Sequence, residues 1–251
     1  QAFVPMLSTY RTEHTPEETK HFISLVMGNL MLFTCILGCL GIAFAPYLVD
    51  FFAPGYRANG IQYDWAVAML RITFPYLPCI ALCAFASSVL NSYRFFAAAA
   101  FTPALLNISL IFSAIFLASY FEPAVFSQAW GVFIAGFLQL AFLLLMFKKH
   151  QLLVWPRWGW RHPGVQRMLK LMGPALLGNS ATQLNSLFST IFASFLIPGS
   201  VSWLYYSDRL IYVPIGVFGT ALATVVLPLL TQQNQSLSAF RHTLNWGIRC
   251  N

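Results

Sequence analysis

The chain has 251 residues, of which 58% are hydrophobic and only 8% charged, with a formal charge of +7. An ordinary soluble domain carries roughly a quarter charged residues, so this balance excludes one and asks for a bilayer as solvent. The positive charge is then expected to report membrane topology and attraction to anionic headgroups, with no nucleic-acid partner.

In chain order, the sequence opens QAFVPMLSTY, with no initiator Met, no basic leader and no small-residue cleavage site, and is expected to be a fragment of a longer protein. Six apolar segments follow, at residues 22–49, 66–90, 103–120, 126–147, 171–197 and 201–230. Each approaches the roughly 20 residues that a helix rising about 1.5 Å per residue needs to cross a hydrocarbon core of about 30 Å. None alternates with period two, as a membrane barrel would. The fold class expected is therefore all-α, a polytopic transmembrane helix bundle with about six complete spans. Residues 1–147 form a first block of helices, 148–170 an interfacial linker, and 171–251 a second block.

Cys35 and Cys39 in the first span, and Cys79 and Cys83 in the second, are each four apart on one helix face. No His, Asp or Glu lies beside them, so they read as small buried residues, and no metal site or cofactor is expected. Pro75 with Pro78, Gly173 with Pro174, and Pro214 with Gly216 are expected to interrupt their spans. Asn107-Ile108-Ser109 matches a glycosylation pattern but lies in a span and is dismissed. The linker interleaves Trp155, Trp158 and Trp160 with Arg157, Arg161 and two prolines, a composition suited to the headgroup level. It reads as an interfacial anchor touching membrane lipids, or as a site for a lipid headgroup.

Loop charges give orientation. Arg11, Lys20, Arg94, Lys148, Lys149, Arg157, Arg161, Arg167, Lys170 and Arg241 fall on one side, and Asp50, Arg57, Asp64 and Glu122 on the other. By the positive-inside rule the first set, with the start of the chain, faces the cytoplasm.

Charges within spans are costly and mark function by default. Three occur here: Arg71, Asp208 and Arg209. Arg71, about five residues into its span, reads as a snorkelling anchor or as a cavity residue. Arg209 lies about eight residues in, near the middle of the bilayer. Helical spacing puts Ser202, Tyr205, Tyr206, Tyr212 and Gly216 broadly on its side, while Asp208 points about 100° away. Arg209 either pairs with Asp208 or another carboxylate to hold the bundle, or offers its guanidinium fork to a phosphate in a water-filled cavity. On the preceding span Asn179, Thr182, Gln183, Ser186 and Thr190 form a polar stripe, read as interhelical hydrogen bonding or as lining of the same cavity. Paired catalytic carboxylates, nucleophile elbows and Walker loops are absent. A transporter is therefore expected, not an enzyme.

Several strings carry a resemblance. AFVPML at the start, RITFPY, LNSYRFFAAAAFTPALLNIS, MGPALLG, and above all FASFLIPGSVSWLYYSDRLIYVPIGVFGTALATVVLPLL over 192–230 resemble the MurJ (MviN) lipid II flippases of the multidrug/oligosaccharidyl-lipid/polysaccharide exporter superfamily. The resemblance implies a larger two-lobed bundle in the bacterial inner membrane. It also implies lipid II, an undecaprenyl-diphosphate-linked peptidoglycan precursor, as cargo, and alternating access with cavity arginines on the diphosphate. By it Ser202, Asp208 and Arg209 line the cavity. Two departures stand out: Tyr212 replaces a commonly acidic residue, and RFFAAAAF has alanines where proline is common, which predicts a less stiff turn. The rival readings are an exporter of another polyprenyl-linked oligosaccharide or of a drug, and a non-transporting membrane scaffold. A coupling ion is not readable from these residues.

Overall fold

In the computed structural model the described residues are 3–58, 60–214 and 216; the side chains of 5, 172–179, 181 and 182 are not among them. All regular secondary structure in these residues is helical.

A short helix, α1 (Phe3–Glu13), leads to α2 (Pro16–Ala43). Thr15 caps α2: its Oγ accepts from the Glu18 amide at 3.3 Å, and Glu18 Oε2 accepts from the Thr15 amide at 2.9 Å. Pro16 occupies the first helical position, where a missing amide costs nothing. The helix therefore starts six residues before the apolar run expected at 22–49. It also ends sooner, because Pro46 obliges the chain to restart as α3 (Ala45–Phe52). A turn at Pro54–Ala58 follows, fixed by Arg57, which donates through Nε and Nη2 to the two Asp50 carboxylate oxygens at 2.7 Å each.

The second expected span is two helices, α4 (Gly60–Thr73) and α5 (Tyr76–Ser92), bent by 43° where Pro75 separates them. α6 (Phe96–Phe112) begins just before the alanine run, so the turn expected there as less stiff is the first turn of a helix. The connection is shorter, centred on Arg94 with φ 67°. α6 passes into a π-helical turn (Ser113–Leu117) and a 3-10 turn (Ala118–Tyr120). α7 (Phe126–Lys149) agrees with its expected start. α8 (Pro163–Ser194) begins eight residues before its apolar run and continues through Pro174 without a break in helical backbone, against the expected interruption there. α9 (Ser200–Pro214) is the described part of the sixth expected span; residues 217–230 lie outside the described residues.

Among the described residues α2, the stretch Phe96–Tyr120 and α7 are each long and apolar enough to cross a membrane, and the bent α4–α5 pair makes a fourth. The chain divides into two compact units, 1–191 and 192–251. In the first, α7 packs against α4, α5 and α6, and α5 packs against α1 and α2. The core joins Phe22, Leu90, Leu143 and Phe147, all essentially inaccessible. The outer face is as apolar as the core: Phe33 and Ile36 of α2 and Leu145 of α7 are about half exposed or more, at 54%, 49% and 62%. In water such a surface would aggregate; against acyl chains it is the expected one.

Small residues let α6 and α7 approach. Ser109 Oγ donates to the Gly131 carbonyl at 2.8 Å, and Ser113 Oγ to that of Ser127. A Cβ on Gly131 would lie 2.8 Å from that of Ser113, the close approach typical of membrane helix pairs. Deeper along α7, Gln139 is 1% exposed; its Nε2 donates to the Thr102 carbonyl at 2.9 Å, and its Oε1 accepts from Tyr76 Oη at 3.3 Å. One amide thus ties α5, α6 and α7. Gln139→Leu should keep the volume but strand the Tyr76 hydroxyl, costing roughly 1–2 kcal/mol. The check is thermal unfolding in detergent, where Tyr76→Phe combined with Gln139→Leu should recover part of the loss.

Candidate functional site

The helix carrying Arg209 is launched by a turn that only certain residues permit. Gly199 has φ +99°, a left-handed conformation that suits glycine. Around it, Ser200 donates to the Ile197 carbonyl through its amide at 3.1 Å and its hydroxyl at 2.8 Å, and the Trp203 amide donates to the Gly199 carbonyl at 2.9 Å. From Ser200, Arg209 is nine residues along α9, or about 14 Å at helical rise.

Arg209 leans back one turn onto Tyr205. Its Nε donates to Tyr205 Oη at 3.1 Å, and its guanidinium carbon lies 5.0 Å from the Tyr205 ring centroid. The Tyr206 ring meets that of Tyr205 edge-on at 5.8 Å. A tyrosine that both stacks under a guanidinium and accepts from its Nε restrains the side chain while leaving the two terminal nitrogens out of that contact. Those nitrogens form one of the edges through which a guanidinium binds paired anionic oxygens. Among the described residues no ion pair joins Arg209 to Asp208, consistent with their separation around the helix. Ser202, Tyr205, Tyr206, Asp208 and Arg209 are all exposed within their unit.

The other sequence candidates lie in the first unit. Arg71 is exposed in the last turn of α4, two residues before the helix ends at Thr73. α4 begins at Gly60, so Arg71 stands eleven residues into the helix and five into the apolar run. On α8, Gln183 and Ser186 are exposed, and Thr190 Oγ donates to the Ser186 carbonyl at 2.9 Å within the helix. The side chains of Asn179 and Thr182 lie outside the described ones. Among the described residues no group of three or more His, Cys, Asp or Glu is placed to hold a metal ion.

The sequence reading missed how residues 150–162 lie on α2. The Arg157 amide donates to the Ser24 carbonyl at 3.1 Å, and Ser24 Oγ donates to the Trp155 carbonyl. Arg11 of α1 likewise stacks on the Tyr93 ring at 4.0 Å and donates to the Ser92 carbonyl. Pairings between residues so far apart leave no local pattern to read.

A family model described as lipid II flippase MurJ matches the chain over residues 1–251, its whole length. The chain belongs to the MurJ family. Curated relatives named probable lipid II flippase MurJ, from Buchnera aphidicola subsp. Acyrthosiphon pisum and Haemophilus influenzae, are each 39% identical, over 99% of this chain and 49% and 52% of their own length. The lipid II flippase MurJ of Burkholderia cenocepacia is 36% identical, over 99% of this chain and 49% of its own. A solved structure, lipid II flippase MurJ in an inward closed conformation, superposes with a TM-score of 0.77 at 25% identity, covering 99% of this chain and 51% of that one. The chain thus spans about half the length of the MurJ relatives it matches, and its helical bundle is that of the MurJ structure.

Proposed function

We propose that these residues belong to a lipid II flippase of the bacterial inner membrane, working by alternating access, with Arg209 holding the diphosphate of the lipid-linked precursor. The carrying observation is the family match along the whole chain. The arginine's role is supported by its attachment to Tyr205, which presents the fork without consuming its terminal nitrogens. Ser202 and Asp208, on the same helix, are assigned to the cavity with Arg209. No bond in the cargo is made or broken, so the work is differential binding: cargo must favour one gate state over the other to shift their populations.

Orientation follows from charge. The linker and the start of α8 carry Lys148, Lys149, Arg157, Arg161, Arg167 and Lys170, while on the opposite side Arg57 is neutralised by Asp50. The cationic side, with the beginning of the chain, is assigned to the cytoplasm. Residues 1–147 are then assigned to the first lobe, 148–170 to the cytoplasmic linker, and 171–251 to the inter-lobe segment and the start of the second lobe.

The test is rescue of bacteria depleted of their own lipid II flippase by the full-length protein. Growth with normal cell shape is expected. Lysis despite normal abundance in the membrane would overturn the assignment.

A further inference from the structure

We propose that His162 is a pH-sensitive latch, holding residues 150–162 and the first turn of α8 against α1 and α2 when neutral and releasing them in acid. The proposal does not rest on the flippase assignment, and its test reads the latch directly.

His162 is the residue before α8, and its Nδ1 accepts from the Gly164 amide at 3.2 Å. It therefore caps a helix N-terminus, where free amides need an acceptor and the helix dipole disfavours a cation. Only the neutral ring can accept there. A proton on Nδ1 both deletes the cap and places positive charge at the positive end of the helix.

The surroundings amplify the effect. His162 lies over Phe22 at 6.4 Å and meets His21 nearly edge-on at 6.1 Å. Beside them is a cavity of about 520 Å³ lined by Tyr10 and His14 of α1–α2, Glu17, Glu18 and His21 of α2, and His162 itself. Arg161 precedes His162 in the chain, and the field of Arg167 on α8 reaches Tyr10. Of the two carboxylates, Glu18 is engaged by the Thr15 amide and by His14, 3.5 Å away. Glu17 lines the same cavity, but what acts on His162 is burial and two further imidazoles. Burial first, then His21 and His14, push its pKa below the usual 6.5.

The sign follows. A histidine whose pKa is depressed when docked is neutral in both states above 6.5, so docking is at full strength there. As pH falls below 6.5 the released form takes a proton that the docked form refuses. Docking then weakens about tenfold per pH unit until the docked pKa is passed.

Hydrogen exchange of the full-length protein in lipid nanodiscs, corrected for intrinsic rates, measures this at pH 7.5, 6.5 and 5.5. The Arg157 amide, bonded to Ser24, and the Gly164 amide are the reporters. Exchange over 155–165 should rise several-fold, up to about tenfold, from 7.5 to 5.5 while α7 stays unchanged. His162→Asn keeps a capping oxygen that cannot take a proton, and should flatten the profile. If that variant is unprotected already at pH 7.5, the paired variant His14→Gln, His21→Gln decides: removing two imidazoles brings the docked pKa closer to 6.5 and should shrink the rise at pH 5.5. A flat wild-type profile overturns the latch, and so does a rise that persists in His162→Asn or is undiminished in the paired variant.

Discussion

Arg209→Ala in the full-length protein is expected to abolish rescue of flippase-depleted bacteria without lowering the amount of protein in the membrane. The substitution removes a guanidinium about 14 Å along α9, the group to which the diphosphate is assigned. A charge-assisted hydrogen bond to a phosphate oxygen is worth about 1.5–3 kcal/mol, and a fork makes two. Transport should therefore fall by at least tenfold, and to nothing if binding is what commits the gates. Arg209→Lys keeps the charge but replaces a planar fork with a point donor, and should recover only part of the activity. Tyr205→Phe keeps the stacked ring and deletes the acceptor for Nε, so its loss should be the mildest of the three. A membrane scaffold predicts the opposite order of importance: abundance falls and surviving protein works. The assay pairs growth after depletion with a blot of the membrane fraction, and normal growth of the alanine variant would refute the role given to Arg209.

What could be read from the sequence follows from which forces are local. The membrane-spanning character of α2, α4–α5, α6 and α7 rests on solvent composition, which every residue reports by itself. The Arg209–Tyr205 contact is a four-residue spacing on one helix and was likewise readable. Helix ends were harder. The polar turns Pro-Glu-Glu-Thr-Lys of α2 and Pro163 onward of α8 extend beyond the apolar runs, and hydrophobicity marks where lipid stops, not where backbone hydrogen bonding does. The docking of residues 150–162 on α2 was invisible, because it pairs Ser24 with Arg157 and His21 with His162, contacts fixed by tertiary packing. Arg71 illustrates the difference: it lies five residues inside its apolar run but eleven residues into a helix that begins at Gly60.

Gly28→Val is expected to dislodge the linker at every pH. Ser24 and Gly28 lie one helical turn apart on α2, and both face the passing backbone of Arg157: Ser24 accepts its amide, and Gly28 leaves room for it. A Cβ at position 28 would overlap the Arg157 carbonyl and lie 2.8 Å from its amide nitrogen. Backbone cannot yield as a flexible side chain can, so either α2 or the linker must move. Forcing side-chain volume into a filled contact costs roughly 1–3 kcal/mol, sometimes more, and here it also breaks the bonds at Ser24. Gly38→Ala on the same helix is the control, since its Cβ would find the Phe74 carbonyl and Pro78 at an ordinary 3.6 Å. Trypsin acting on the membrane-embedded protein reads the difference at Arg157 and Arg161: cleavage should accelerate at least tenfold in Gly28→Val and stay at the wild-type rate in Gly38→Ala. Equal cleavage in all three would show that the linker is held by something other than this close approach. The comparison also separates packing from protonation, because steric release by valine is present at pH 7.5, where a neutral His162 would still be capping α8.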